Sequence, residues 1–267
     1  MRRFPAKMLV TGVRSGLGKA AHRRFGGLGL SRANSAKTLA AAAKGVEVIL
    51  HCAASPPPKG EGAWVLSRFF EDNWLLTRDL LALPHRFFVF ISTVEVYPPG
   101  GGPHREEETL PADGLRTPYA TAKLASEALV RAKGQNHLIL RACALLGRDS
   151  RPNTLLRMLS RRTCRLGLSA DSTLNYVLHE DILDFIELAL SRGRRGTYNA
   201  ASSRNATLRE LAVLAGAKPL FGPFRYRTPS VDNNRIRALS PAFARDTREN
   251  IRLFLEGSMG RSPRTAA

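Results

Sequence analysis

A chain of 267 residues with 43% apolar and 24% charged content is long enough to bury a substantial core and excludes a disordered polyelectrolyte. Its 41 lysines and arginines against 22 aspartates and glutamates give a formal charge of +19, a field that attracts phosphorylated cofactors, nucleotide-linked substrates, nucleic acid and anionic surfaces alike. The basic residues are scattered, with denser spots such as Arg161-Arg162 that read as solvated loops, so nucleic-acid binding is disfavoured.

The amino terminus, Met1-Arg2-Arg3-Phe4-Pro5, passes within a few residues into a strand-like segment without a signal-peptide core. No apolar run approaches the ~18 residues of a membrane helix, so a cytoplasmic protein without a membrane span is expected. Cys52, Cys143 and Cys164 form no C-x-x-C pair, which argues against a disulfide framework or a zinc site.

Lys7 to Thr11 is a short apolar run that ends at glycine, the pattern of a buried parallel strand. Thr11-Gly12-Val13-Arg14-Ser15-Gly16-Leu17-Gly18 follows, and then a helical stretch from Lys19 to Phe25. Strand, glycine-rich turn and helix in that order are the context of a dinucleotide-binding fingerprint. Gly12 permits the tight turn, Gly16 lets backbone approach a pyrophosphate, and Gly18 lets helix pack on strand. Leu28 to Ser31 reads as a second strand, and Arg32 stands where such folds test the ribose 2′ position. An arginine there, assisted by Arg14, suits a 2′-phosphate, so NADP is expected ahead of NAD.

Ser35 to Lys44 is a helix capped by Gly45, and Val46 to His51 a third strand leading to Cys52-Ala53-Ala54-Ser55 and a proline–glycine loop, Pro56 to Gly62. Trp64 to Leu83 reads as one long helix with Asn73 near its middle. Phe87 to Ile91 is a fourth strand that ends at Ser92-Thr93, where a hydroxyl projects at the crevice end of the sheet. Pro98 to Asp113, with Glu106-Glu107-Glu108, reads as solvated loop, and His51 as a core histidine. The six histidines show no metal spacing, and no metal site is expected.

In Thr117-Pro118-Tyr119-Ala120-Thr121-Ala122-Lys123, Thr117 is a helix N-cap and Pro118 opens the first turn. Tyr119 and Lys123 then share one face at i and i+4. An ammonium beside a phenol favours the phenolate and brings a group that titrates near pH ~10 toward neutrality. The spacing alone is far more often that of a surface tyrosine and a solvated lysine. Its company elsewhere in the chain gives it weight.

Taken in order, Thr11-Gly12-x-x-x-Gly16-x-Gly18, His51-Cys52-Ala53-Ala54, Asn73, Phe90-Ile91-Ser92-Thr93-x-Glu95-Val96-Tyr97, Tyr119-x-x-x-Lys123 and Leu140-Arg141 resemble the extended short-chain dehydrogenase/reductases. This is the NAD(P)-dependent epimerase/dehydratase family, which acts largely on nucleotide sugars. Tyr176 to Asp181, Gly196 to Asn199 and Asp232 to Pro241 extend the resemblance over nearly the whole chain.

The resemblance implies Tyr119 as acid/base, Lys123 lowering its pKa and touching the nicotinamide ribose, and Thr93 bonding the reacting oxygen with Ser92 as nearest substitute. It also implies Gly12, Ser15, Gly16, Leu17 and Gly18 at the pyrophosphate, Ala53 and Ala54 along the cofactor, and Asn73 behind them. The implied activity is hydride transfer on a sugar nucleotide or related hydroxy or keto substrate, in an oxidoreductase or epimerase. Dimerisation through the Tyr119 helix is carried over in the same way.

Departures from the family pattern matter. The span from Gly18 to His51 is short, and implies a sheet lacking one strand together with the acidic residue that follows it. Val94 replaces the aspartate of the 4,6-dehydratases, and Leu174 an arginine near the nucleotide diphosphate. The expected fold is therefore α/β: a Rossmann-type doubly wound parallel sheet, one strand short, over residues 1–144. A small carboxyl-terminal substrate lobe is expected, mainly from 145–257, with a disordered tail at 258–267. The shortened cofactor half also motivates an alternative, a non-catalytic dinucleotide-binding scaffold or sensor.

Overall fold

The computed structural model describes residues 7–55, 63–98, 100–111, 115, 117–134 and 136–259. Met1 to Pro5, the loop from Pro56 to Gly62 and residues 260–267 lie outside them. The strands are β1 (Met8–Thr11), β2 (Leu28–Leu30), β3 (Val46–His51), β4 (His85–Thr93), β5 (His137–Ala142), β6 (Ala144–Leu146), β7 (Thr173–Leu174), β8 (Tyr176–Leu178), β9 (Gly196–Ala200) and β10 (Ala206–Thr207). The helices in the first half are α1 (Gly16–Phe25), α2 (Ser35–Ala42), α3 (Ala63–Phe70), α4 (Leu76–Leu81) and α5 (Pro118–Lys133). Those in the second are α6 (Thr154–Ser160), α7 (His179–Ser191), α8 (Leu208–Leu214), α9 (Asn234–Arg237) and α10 (Thr247–Met259). Ser258 and Met259, expected in a disordered tail, thus close α10 instead.

Six strands pair in parallel in the order β2-β1-β3-β4-β5-β9. β1 and β4 to β5 carry few polar breaks because helices cover both faces. Alternation along the strands divides the core. Met8, Val10, Leu50 and Val89 meet Leu17 and Ala21 of α1 and Phe185 and Ile186 of α7. Leu9, Ile49, Phe88 and Phe90 face the other way, onto Leu80, Leu81 and Val130. Burying each of these large side chains contributes roughly 1.5–3 kcal/mol. A separate core, including Leu155, Met158, Tyr176, Leu208 and Ile251, fills the lobe built by the β6–β8 and β7–β10 pairs with α6, α8 and α10.

This is a Rossmann-type doubly wound sheet. The strand order reverses between β1 and β3, which opens a crevice at their carboxyl ends. Among the described residues only β2 lies beyond β1, where the common doubly wound order places two strands. The short span between Gly18 and His51 leaves no chain for the second.

Three local expectations are corrected. The helix expected over 64–83 is interrupted at Glu71–Leu75 by a π-turn, where Asn73 Nδ2 donates to Phe69 O at 2.8 Å and Thr77 Oγ1 to Asn73 O at 2.8 Å. Side chains that bond the carbonyl one turn back locally loosen the helix ladder. The fourth strand ends at Thr93 as expected but begins at His85 rather than Phe87, because β3 supplies partners from Val46 onward. The Glu106 to Glu108 segment is anchored: Asn199 N–H donates to Glu106 Oε1 at 2.8 Å, Glu107 pairs with Arg235 at 3.0 Å, and Glu108 accepts from Arg105 N at 2.7 Å.

A buried ion pair fixes the helix that carries Tyr119. Glu127 is fully buried and accepts from Arg141 Nη2 at 2.8 Å and from Ser92 Oγ at 2.5 Å, which ties α5 to β4 and β5. Arg141 Nη1 reaches Tyr97 OH at 2.7 Å, so both charges are paired and hydrogen-bonded.

Candidate active site

The glycine turn is built as its spacing predicts. Gly12 has φ +75°, and a Cβ there would stand 3.1 Å from the Ala53 backbone. A Cβ on Gly18 would lie 2.5 Å from the carbonyl oxygens of Thr11 and Gly12, so helix α1 packs on β1 only with glycine. Thr11 Oγ1 accepts from Ala53 N at 2.9 Å and meets His51 Nδ1 at 2.8 Å, locking the ends of β1 and β3 together. His51 is the core histidine expected: burial holds its pKa well below the usual value, and its Nε2 meets Thr77 Oγ1 at 3.0 Å.

Two cavities follow the crevice. One, of about 350 Å³, is lined by Ser15, Gly16, Leu17, Gly18, Ala54, Ser92, Thr93, Tyr119 and Lys123, with Glu95, Cys143, Asn153, Leu174 and Tyr226 opposite. The other, of about 540 Å³, is lined by Gly12, Arg14, Ser15, Arg32, Ala53 and Ala54, with apolar walls from Leu30, Leu39 and Leu76. The shortened half therefore keeps an apolar slot at its far end. A third cleft, of about 1010 Å³, shares Pro152 and Asn153 with the first and carries Arg157, Arg161 and Arg165.

Thr117 caps α5 as expected, accepting from Ala120 N at 3.1 Å, with Pro118 in the first turn. Tyr119 is half-buried, and burial, aided by the Glu95 carboxylate, pushes its phenol up to about 12. This reverses the expected depression. Lys123 Nζ donates to Ile91 O at 2.7 Å and lies 5.9 Å from the Tyr119 ring centroid, so its charge is directed at the strand rather than the phenol. Burial lowers the lysine itself to about 8.

Thr93 Oγ1 accepts from Glu95 N at 3.2 Å, which leaves its own proton to donate into the cavity. Ser92 does not substitute for it, because the Ser92 hydroxyl is turned to Glu127. Asn73 lines neither cavity; its Oδ1 accepts from Ser55 N at 3.1 Å and supports the loop after β3 from behind.

Four features escaped the sequence reading. Arg151 lines both crevice cavities and donates to Ser15 Oγ and Ala54 O, each at 3.1 Å. Its loop is strapped to α1: Gly16 N–H donates to Asp149 O at 2.6 Å, while the Asp149 carboxylate pairs with Lys19 at 3.2 Å and Arg23 at 2.6 Å. Tyr226 OH, from the lobe, donates to Glu95 Oε1 at 3.0 Å beside Tyr119. His179 Nδ1, a buried polar atom without a partner among the described residues, lies in a side chain lining the same cavity. Finally, Arg32 is paired with Asp72 and Ser55. The Glu95 side of this set was legible in its motif; the partners arrive from loops with no periodicity.

A doubly wound sheet with a glycine turn at its switch point, opening beside a Tyr–Lys helix, defines a dinucleotide-binding α/β protein. The model of the NAD dependent epimerase/dehydratase family matches residues 8–201, and the chain belongs to that family. Among solved structures it is similar to a dTDP-4-dehydrorhamnose reductase from Clostridium acetobutylicum, at 17% identity, 95% and 99% coverage of the two chains and a TM-score of 0.77. It is also similar to RMD from Pseudomonas aeruginosa complexed with NADPH, at 19% identity, 94% and 98% coverage and a TM-score of 0.74. A UDP-glucuronic acid 4-epimerase from Bacillus cereus in complex with NAD follows at 18% identity, 94% and 98% coverage and a TM-score of 0.69. At these identities the likeness is one of fold. No match is found among curated proteins.

Proposed function

We propose that the chain is an NAD(P)-dependent oxidoreductase or epimerase acting on a nucleotide sugar, with Tyr119 as its acid/base. The observation that carries this reading is the cavity that brings Thr93, Tyr119 and Lys123 together against Gly16 to Gly18. The crevice fits a dinucleotide. Two cavities flank Ser15 and Ala54 at the switch point, one ending in an apolar slot and the other at Tyr119. Arg151, the strap over the glycine turn, supplies a cation where a pyrophosphate would cross. A nicotinamide dinucleotide, when bound, supplies the hydride donor or acceptor.

The chain's own residues do the rest. A phenol held near 12 keeps its proton at neutral pH, so Tyr119 is set up to donate to an oxygen that gains negative charge as a carbonyl is reduced. Thr93 donates a second hydrogen bond to that oxygen. Lys123, held on Ile91 O with its ammonium 5.9 Å from the Tyr119 ring centroid, is a cation of the site and stands one helical turn from the tyrosine that gives up its proton. Glu95 and Tyr226 face the same space; with the Tyr226 proton given to Glu95 Oε1, the carboxylate and the phenol oxygen are both acceptors for sugar hydroxyls. The adjoining cleft with Arg157, Arg161 and Arg165 supplies the cations a sugar-linked diphosphate needs, in place of the missing arginine at Leu174.

Arg32 and Arg14 favour NADP at the far cavity. These intact features and the retained apolar slot support an enzyme over a scaffold. The test is turnover of NADPH and NADH with 4-keto nucleotide sugars, and of NADP+ and NAD+ with 4-hydroxy nucleotide sugars, by the wild-type chain and Tyr119→Phe. A loss of about 10²–10⁴-fold in kcat with unchanged cofactor affinity is expected. Full turnover by Tyr119→Phe on an identified substrate removes the assignment.

A further inference from the structure

The far cavity carries an arrangement that the choice of Arg32 alone does not explain. Arg32 leaves β2 in a 3₁₀ turn, and its Nη2 donates to Ser55 Oγ at 2.8 Å and to the Asp72 carboxylate. Ser55 Oγ in turn donates to Asp72 Oδ2 at 2.9 Å, and Asn73 Oδ1 holds the Ser55 backbone from behind. Three segments therefore converge on one guanidinium. Asp72 comes from the π-turn at Glu71–Leu75, a helix irregularity that is frequent at functional sites. The side chain of Asp72 is 28% exposed and that of Arg32 73%, so an incoming ligand meets both.

We propose that Asp72 is the residue that sets cofactor choice, acting against Arg32; the proposal rests on the dinucleotide reading above. A ribose 2′-hydroxyl both donates and accepts, so it can donate to Asp72 while the Asp72–Arg32 pair stays intact. A 2′-phosphate only accepts. It must draw Arg32 away from Asp72, and it then stands beside an unpaired carboxylate. The shortened sheet lacks the strand that normally lies beyond β2, and the carboxylate at this cavity is delivered from the opposite wall by the π-turn. The wild-type chain accordingly takes both cofactors, with the phosphate preference of Arg32 held down by Asp72.

The experiment is equilibrium titration, by fluorescence and calorimetry, of NADPH, NADH and adenosine 2′,5′-bisphosphate into the wild-type chain, Asp72→Asn, Arg32→Gln and Asp79→Asn. Asp79 lines the same cavity, but its carboxylate accepts from Arg78 Nε at 2.9 Å, so it controls for a change in field alone. Asp72→Asn is expected to shift the ratio of Kd values toward NADPH by about tenfold, the worth of one charge-assisted hydrogen bond. It should tighten adenosine 2′,5′-bisphosphate as well. Arg32→Gln should shift the ratio at least as far toward NADH, and Asp79→Asn should leave it within about twofold. A ratio unmoved by Asp72→Asn while both cofactors bind overturns the selector, as does an equal shift in Asp79→Asn. If neither cofactor binds the wild-type chain, the dinucleotide reading itself fails, an outcome separate from the other two.

Discussion

Replacing Lys123 with methionine tests the energetics of the site apart from its chemistry. The ammonium is 4% exposed, and burial is the largest cause of its fall from 10.5 to about 8. That difference corresponds to roughly 3 kcal/mol by which the fold disfavours the charged lysine. Methionine keeps most of the volume but loses the hydrogen bond to Ile91 O, which costs about 1 kcal/mol. Lys123→Met should therefore stabilise the chain by about 2 kcal/mol at pH 7, or about 4–8 °C in Tm.

The pH dependence has a fixed sign. Between about 8 and 10.5 the unfolded chain holds a proton that the folded chain has released, so the penalty is complete below pH 8 and is relieved as pH rises to 10.5. The advantage of methionine should shrink through that window and turn into a small loss above it. Urea unfolding at pH 7 and pH 10 reads the difference. A variant destabilised equally at both values refutes the buried-charge argument and makes Lys123 a structural hydrogen-bond donor.

Three further outcomes are expected. Gly18→Ala puts a methyl 2.5 Å from two backbone carbonyls and should cost about 1–3 kcal/mol in urea unfolding while weakening NADPH binding. Glu127→Ala leaves Arg141 buried without its carboxylate and should cost about 3–5 kcal/mol, readable by thermal denaturation. Tyr226→Phe removes the donor to Glu95 and should raise KM for the sugar substrate several-fold with cofactor Kd unchanged; unchanged KM would remove Tyr226 from the substrate wall.

The parts of this molecule legible in the chain are those set by local spacing. Gly12, Gly16 and Gly18 after an apolar run, and Thr117-Pro118 before Tyr119 and Lys123, specify their turn and helix within a few residues, and the structure builds both. The missing strand was readable as a length. What was not legible depends on contacts across the chain: Arg151 reaches Ser15 over 136 positions, and Tyr226 reaches Glu95 over 131. The direction of the Tyr119 shift was misread for the same reason. An i,i+4 spacing brings Lys123 near the ring, but burial and the carbonyl of Ile91, neither visible in the spacing, decide where its charge acts. Ser92 was misassigned because its partner, Glu127, lies on another element.

The central claim is that the crevice between the ends of β1 and β3 holds a nicotinamide dinucleotide beside Tyr119. Its most direct test is a fluorescence titration of the purified chain with NADPH and NADH at low and high salt. Saturable binding of one molecule per chain, persisting at high salt, is the predicted result. Binding of neither, or an attachment without saturation that vanishes with salt, would contradict it and leave only the general attraction of a +19 surface for anions.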